Sequence, residues 1–296
     1  MLPAGELIPG GVAPQPARVW PVILTGMGPA PITGDETIEA MLLKSQRLRV
    51  PLRMSFVQQG HGAETRPGLL AELVRNHDER GLDLYLLMMA VATAEPFKAQ
   101  YEAATWARAV GLQGAGALTT VSRAWSRLAG LGLIERGRAL AKIEGEWRRV
   151  ASVAPLSEDG LRQPYHRPPG TPDDRYFALP VEYWLNGWHR RLPFAAKALL
   201  LVSLSLDRTG GFTLPAERAK DWYGVSEDTA ERGLNKLREV GLLDRHPELK
   251  KAPLLREGYV RIYRYALKTP FDKASLSRRR GRTREGVRSS AVTPPS

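Results

Sequence analysis

Between positions 118 and 131 the sequence sets hydroxyls and guanidiniums around one helical face: Thr119, Thr120, Ser122, Arg123, Ser126 and Arg127. Val121, Trp125, Leu128 and Leu131 recur at helical steps between them, so on a helix the two sets face opposite ways. Hydroxyls bond phosphate or base edges, and an arginine fork takes guanine through O6 and N7, worth about 1–3 kcal/mol of discrimination. None of the outward residues is acidic. Just downstream, Arg136, Arg138, Lys142, Arg148 and Arg149 surround a glycine-bounded hairpin between Gly137 and Gly145.

A second cluster has a different charge balance. Ser226 precedes a periodic stretch that offers Arg232, Asn235, Lys236 and Arg238, but also Glu227, Asp228 and Glu231. Carboxylates suit the positive end of a helix and stabilise it, yet they repel phosphate. The following loop adds Lys250, Lys251 and Arg256. The tyrosines Tyr259, Tyr263 and Tyr265 alternate along a strand and read as packing residues. The C-terminal stretch carries Lys273, Arg278, Arg279, Arg280, Arg282, Arg284 and Arg288 against Glu285. Such a tail is predicted to be disordered and to add non-specific, salt-sensitive affinity by counterion release. With 43 Lys and Arg against 31 Asp and Glu, the net charge of +12 points to a polyanionic partner.

Catalytic constellations are not apparent. There is no cysteine, so disulfides, thiolate zinc sites and a cysteine nucleophile are excluded. The five histidines, His61, His77, His166, His189 and His246, share no ligand spacing. Gly26-Met27-Gly28 is followed by Pro29 and Pro31, which forbid the helix a dinucleotide site needs. The expectation is a protein that is not an enzyme and has no metal and no cofactor. No apolar run approaches the roughly 18 residues of a membrane helix, and no secretory leader is evident. A cytoplasmic, nucleoid-associated protein without membrane attachment is expected.

These residues need elements to hold them. Residues 1–34 read as a Pro/Gly-rich arm with one short strand at 22–24. Residues 35–81 form an extension: a helix capped by Asp35 and running to Lys44, an edge strand over 48–56 that contains Pro51, and a helix over 67–80. The first module spans 82–154. It has an all-round apolar helix over 82–94, a short helix over 102–110, the helix over 118–131 and strands at 133–136 and 147–153. A Pro-rich linker is predicted over 155–178. The second module, 179–270, repeats the order, with helices over 193–206, 216–223 and 227–240 and strands at 210–214, 242–245 and 259–267. Residues 271–296 are the basic tail. Arg123, Leu128, Gly132 and Arg136 match Arg232, Leu237, Gly241 and Arg245, each 109 residues later, so the modules are a duplication.

Thr120-Val121-Ser122-Arg123-Ala124-Trp125, continuing through Leu128 to Gly132-Leu133-Ile134, resembles the recognition-helix signature of GntR-type winged-helix regulators. The stretch from Ser226 through Thr229-Ala230, Arg232-Gly233-Leu234 and Leu237 to Gly241-Leu242-Leu243 resembles it too. The likeness covers about 82–153 and 193–267. No effector domain of the GntR kind is seen, and two such modules in one chain also resemble many plasmid replication initiators. The resemblance implies a mainly α chain with small β-wings, an α+β fold of tandem winged helix-turn-helix domains with disordered termini. It implies that the third helix enters a major groove while the wing meets phosphate or the minor groove. The expected partner is double-stranded DNA, and the expected role is sequence-specific transcriptional regulation. Two alternatives stand beside it: a replication initiator of a plasmid or mobile element, and a winged-helix subunit of a larger assembly. Homodimerisation, or a protein partner held by the second module, belongs with the last.

Overall fold

Thr33 opens the first helix of the computed structural model. Its hydroxyl accepts from the Glu36 amide at 3.2 Å while the Glu36 carboxylate takes the Thr33 amide at 2.7 Å. The cap is therefore Thr33 and not Asp35, because only a residue outside the helical turn can fold its side chain back onto the free amides. The structure describes residues 30–60, 62–143, 145–207 and 209–277. The strand expected at 22–24 and the arginines at 278, 279 and 280 lie outside them, as does His61.

Helix α1 (Gly34–Ser45) leads to strand β1 (Arg49–Arg53). The single strand expected over 48–56 stops at Arg53, and a short helix α2 (Met54–Val57) replaces its second half. Strands β2 (Gln58–Gln59) and β3 (Arg66–Pro67) form a small ladder. The helices expected over 67–80 and 82–94 are α3 (Leu70–Arg75) and α4 (Glu79–Val91), with the break at 76–78 and not at 81. His77 breaks them with φ of 50°, and Asp78 caps α4 by accepting from the Gly81 amide at 2.9 Å. A run from Gly81 to Ala90 is buried on every face, apolar throughout except for Asp83.

Strand β4 (Ala99–Tyr101), helix α5 (Ala103–Ala109), helix α6 (Ala117–Gly130) and the hairpin β5 (Ile134–Ile143) and β6 (Glu146–Pro155) follow. The three strands lie side by side in the order β4, β6, β5, all antiparallel. Helix α6 buries Val121, Ala124, Trp125 and Leu128, with Trp125 edge-on to Trp106 of α5 at 5.2 Å.

Strand β7 (Tyr176–Pro180) and the short helices α7 (Glu182–Leu185) and α8 (Trp188–Arg191) then lead to α9 (Phe194–Leu206). Strand β8 (Phe212–Thr213), helix α10 (Ala216–Tyr223), helix α11 (Glu227–Glu239) and the hairpin β9 (Leu243–Lys251) and β10 (Tyr259–Leu267) complete the described elements. Their strand order, β8, β10, β9, is that of the earlier sheet. The chain is a mixed α/β fold with small antiparallel sheets, and its two halves repeat one order of elements. Gly132 and Gly241 turn the third helix of each repeat into its hairpin at φ of 75° and 76°, a region that side chains avoid.

The repeats share one apolar core. Helix α9 lies against α11 so closely that a Cβ at Gly233 would meet the Ala195 carbonyl oxygen at 2.8 Å. Lys197 of α9 is 2% exposed and reaches Asp83 of α4 at 2.7 Å and Glu79 at 2.9 Å. Burial outweighs this lysine and pushes Asp83 up to about 6. Strand β1 pairs with β7 from Arg49 opposite Pro180 to Arg53 opposite Tyr176, and among the described residues each has one neighbour, which accommodates Pro51.

The proline-rich residues between β6 and β7 are tied to this pair. Buried Arg53 donates to Glu158 at 2.9 Å, to Asp174 at 2.7 Å and to the His166 carbonyl at 2.7 Å. Glu158 is fully buried, and burial pushes its carboxyl up against the pull of Arg53. Removing one partner from a buried pair of this kind costs about 3–5 kcal/mol. No described helix is long and apolar enough to cross a membrane.

Candidate nucleic-acid interface

Helix α6 exposes Thr119, Ser122, Arg123, Ser126 and Arg127 along the side away from Val121 and Trp125, while Thr120 is half-buried. Two hydroxyls are turned inward on the helix. Thr120 donates to the Gly116 carbonyl at 3.0 Å and Ser126 to the Ser122 carbonyl at 3.0 Å. Their oxygens keep lone pairs for a second partner.

The hairpin joins this face through one residue. Arg136 donates to the Ser126 hydroxyl and, at 3.4 Å, to the Ser122 hydroxyl. Residues directly opposite in an antiparallel pair share a face. The register places Arg136 opposite Val153, Arg138 opposite Ala151, Leu140 opposite Arg149 and Lys142 opposite Trp147. Arg136, Arg138, Lys142 and Arg149 are therefore one row that continues the outer face of α6. Among the described residues, no carboxylate falls on this face of the hairpin or on α6. Leu140 and Trp147 lie in the same row and are 63% and 67% exposed. Apolar side chains held beside cations on a projecting hairpin suit a partner with charged backbone and flat, apolar surface.

Two residues read from the sequence as DNA contacts are placed otherwise. Arg148 lies on the opposite face of the hairpin, facing Ala141 across the ladder, with Glu102 at 3.5 Å. Arg127 forks onto the Asp78 carboxylate, with Nε at 2.7 Å. Those hydrogen bonds hold the guanidinium above its ordinary value. Asp78 caps α4, so Arg127 fastens α6 to α4. Arg123, one turn earlier, is exposed and makes no hydrogen bond or ion pair among the described residues.

The second repeat keeps the hairpin chemistry and changes the helix. Thr119, Ser122, Arg123 and Ser126 correspond, 109 residues on, to Asp228, Glu231, Arg232 and Asn235. Arg232 is paired with Asp228 at 2.9 Å, Lys236 with Glu239 at 2.8 Å, and Arg238 donates to Asn235 at 3.1 Å. The outer face of α11 is thus neutralised within the helix and acidic at its start. On the hairpin, Lys251 stands opposite Tyr259, Leu249 opposite Arg261 and Arg245 opposite Tyr265. In the first hairpin the same places hold Lys142 with Trp147, Leu140 with Arg149 and Arg136 with Val153. The tip repeats a lysine facing an aromatic ring, and the next rung a leucine facing an arginine. Arg245 lies over the Tyr263 ring at 4.4 Å. Lys250 falls on the other face, opposite Val260.

Trp147, Leu140, Tyr259 and Leu249 were not visible as site residues from the sequence. Their signal is relational, since each becomes notable only when the ladder register sets it beside a cation. No family model matches the chain, and no curated protein is similar to it.

Proposed function

We propose that the chain binds double-stranded DNA through two winged helix-turn-helix modules in tandem and acts as a sequence-specific transcriptional regulator. The observation that carries this reading is a surface without carboxylates among the described residues, running from Thr119 and Arg123 on α6, across the Arg136 hydrogen bonds, to Lys142 and Trp147 near the hairpin tip. Helix α6 is presented to the major groove, where Arg123 reads base edges. The hairpin row lies on phosphate and the minor groove, with Trp147 at its end. The second repeat adds grip through its own hairpin, at Lys251, Arg261 and Tyr259, and contributes little readout through α11. Such a protein works on the chromosome, in the cytoplasm, without catalysis or a cofactor.

A specific feature favours a second reading for the later repeat. Its acidic α11 and the exposed leucines Leu249, Leu254 and Leu255 at the β9–β10 hairpin suit a protein surface, either a second copy or another component. The experiment is selection of genomic fragments by purified protein at about 150 mM salt, followed by footprinting. A discrete protected site lost in Arg123→Ala supports specific readout. Its position beside a promoter indicates a regulator, and repeats beside an AT-rich origin indicate an initiator. No enrichment over competitor DNA refutes specific binding.

A further inference from the structure

The joint between the two repeats holds a cavity of about 240 Å³ that is partly open to solvent. Its walls come from α1, α4, the end of α5, α7, α8 and α9. Ile38, Leu87, Val110 and Trp184 supply apolar surface. The polar wall is made of charges already paired. Lys197 meets Asp83 and Glu79, Arg190 meets Asp35, and Arg80 donates to the Val110 carbonyl at 3.0 Å. Three cations on the wall thus stand with three carboxylates, Glu79 and Asp83 on the wall itself and Asp35 as the partner of Arg190, and the charges sum to zero.

Two groups in this balanced setting are unsatisfied. His189 lines the cavity and is 6% exposed; neither ring nitrogen has a hydrogen bond of normal geometry, and the Tyr183 backbone makes only a weak contact with the ring. Oδ1 of Asp35 is buried without a hydrogen bond and stands 3.8 Å from His189 Nε2, too far for a direct bond. Buried polar atoms normally have partners, so a facing pair left open at a cavity wall marks a place for a polar guest.

We propose that this cavity binds a small zwitterion of the α-amino-acid class, with its ammonium on Asp35 and Glu79 and its carboxylate on Arg190 and His189. Charge balance selects the class. A simple anion or cation would leave one wall charge uncompensated, and two of those charges, Lys197 and Asp83, are buried. A zwitterion exchanges partners pair for pair. The volume lies below the roughly 300–1,000 Å³ of drug-sized sites and suits a guest of this size. The apolar wall receives its side chain. Because Glu79 lies on α4 of the first repeat and Arg190 on α8, directly ahead of α9 of the second, the guest bridges both.

The test is thermal unfolding of the full chain with proteinogenic L-amino acids, one at a time at about 10 mM. Glycerol, sodium acetate and ethylammonium chloride serve as controls at matched ionic strength. A ligand at about 100 times its Kd raises Tm measurably and saturably. The expected result is a saturable rise with one or a few amino acids and none with the controls. His189→Leu and the exposed-site change Arg190→Ala should each weaken the fitted Kd at least about tenfold. Arg190→Ala keeps the test decisive should His189→Leu fold poorly. The proposal is overturned if no amino acid shifts Tm, if acetate or ethylammonium shifts it as much, or if Arg190→Ala leaves Kd unchanged.

Discussion

Arg123→Ala and Arg127→Ala, one helical turn apart on the same face of α6, should fail in opposite ways. Arg127 gives two hydrogen bonds to Asp78, a carboxylate only 6% exposed that also caps α4 through the Gly81 amide. Hydrogen bonds to charged groups are worth about 1.5–3 kcal/mol when buried. The arginine side chain is half exposed, and water competes for it, so the pair should hold about 1–2 kcal/mol. Arg127→Ala loses that. Asp78→Ala loses the pair and a helix cap worth about 1 kcal/mol, a total of about 2–3 kcal/mol. The double variant should show a coupling of about 1–2 kcal/mol. Urea unfolding of the four proteins gives these values, and DNA titration at fixed salt gives the other axis. Arg123→Ala should leave unfolding unchanged within about 0.5 kcal/mol and weaken specific binding by about 1–3 kcal/mol. If Arg127→Ala unfolds like the parent and weakens DNA binding as much as Arg123→Ala does, the assignment of Arg127 to the fold is wrong.

The joint predicts an unusual pH response. Burial and Arg190 push His189 down to about 4 against the pull of Asp35, so its stabilising effect is present above pH 6.5 and is lost as pH falls toward 4. Asp83, pushed up to about 6, acts in the opposite sense: its effect is present below about 3.8 and is lost as pH rises through 6. Each is worth up to about 3 kcal/mol, and the two offset each other. Against the parent, His189→Leu should therefore gain stability as pH falls from 6.5 to 4, measured by urea unfolding at several pH values; a flat difference disproves it. Gly233→Ala would bring a methyl within 2.9 Å of Leu199 as well as onto the Ala195 carbonyl, and should cost about 1–3 kcal/mol. Gly130→Ala, with nothing within 4 Å, should gain about 0.5–1 kcal/mol, both changes being read by urea unfolding. Lys142→Ala and Lys251→Ala should each lower the slope of log K against log salt by about 1, whatever the duplex sequence. A slope unmoved by Lys251→Ala would assign the second hairpin to a protein partner.

Helices α6 and α11 and the glycines that end them were legible because an amphipathic period and a duplicated Gly-Leu stop both announce themselves locally. The break between α3 and α4 was read at 81 and lies at 76–78, since apolar residues continue at helical spacing on both sides of it. It depends on one left-handed residue, His77, and on the Asp78 cap. Strand β9 runs on to Lys251 although Glu248, Leu249 and Lys250 show no apolar alternation, because both faces of that hairpin are in water. The ordering of residues around Glu158 was beyond a local reading: prolines suggest a loop, while its anchor, Arg53, lies 105 residues away. The candidate site divides in the same way. Its helix face was readable, but its continuity with the hairpin required a register, and the diversion of Arg127 required a partner 49 residues upstream.

The pairing of β1 with β7 also sets a clock. Arg53 must wait for Asp174, 121 residues later in the chain. At about 5–20 residues per second of synthesis, that delay is roughly 6–24 s. The whole first repeat emerges inside that interval, so it must reach a tolerable structure before the strand that closes behind it exists. Meanwhile β1 is an unpaired edge. Pro51, at its centre, has no amide hydrogen to offer a stray strand, so a residue that adds nothing to the finished ladder protects the nascent chain while it waits.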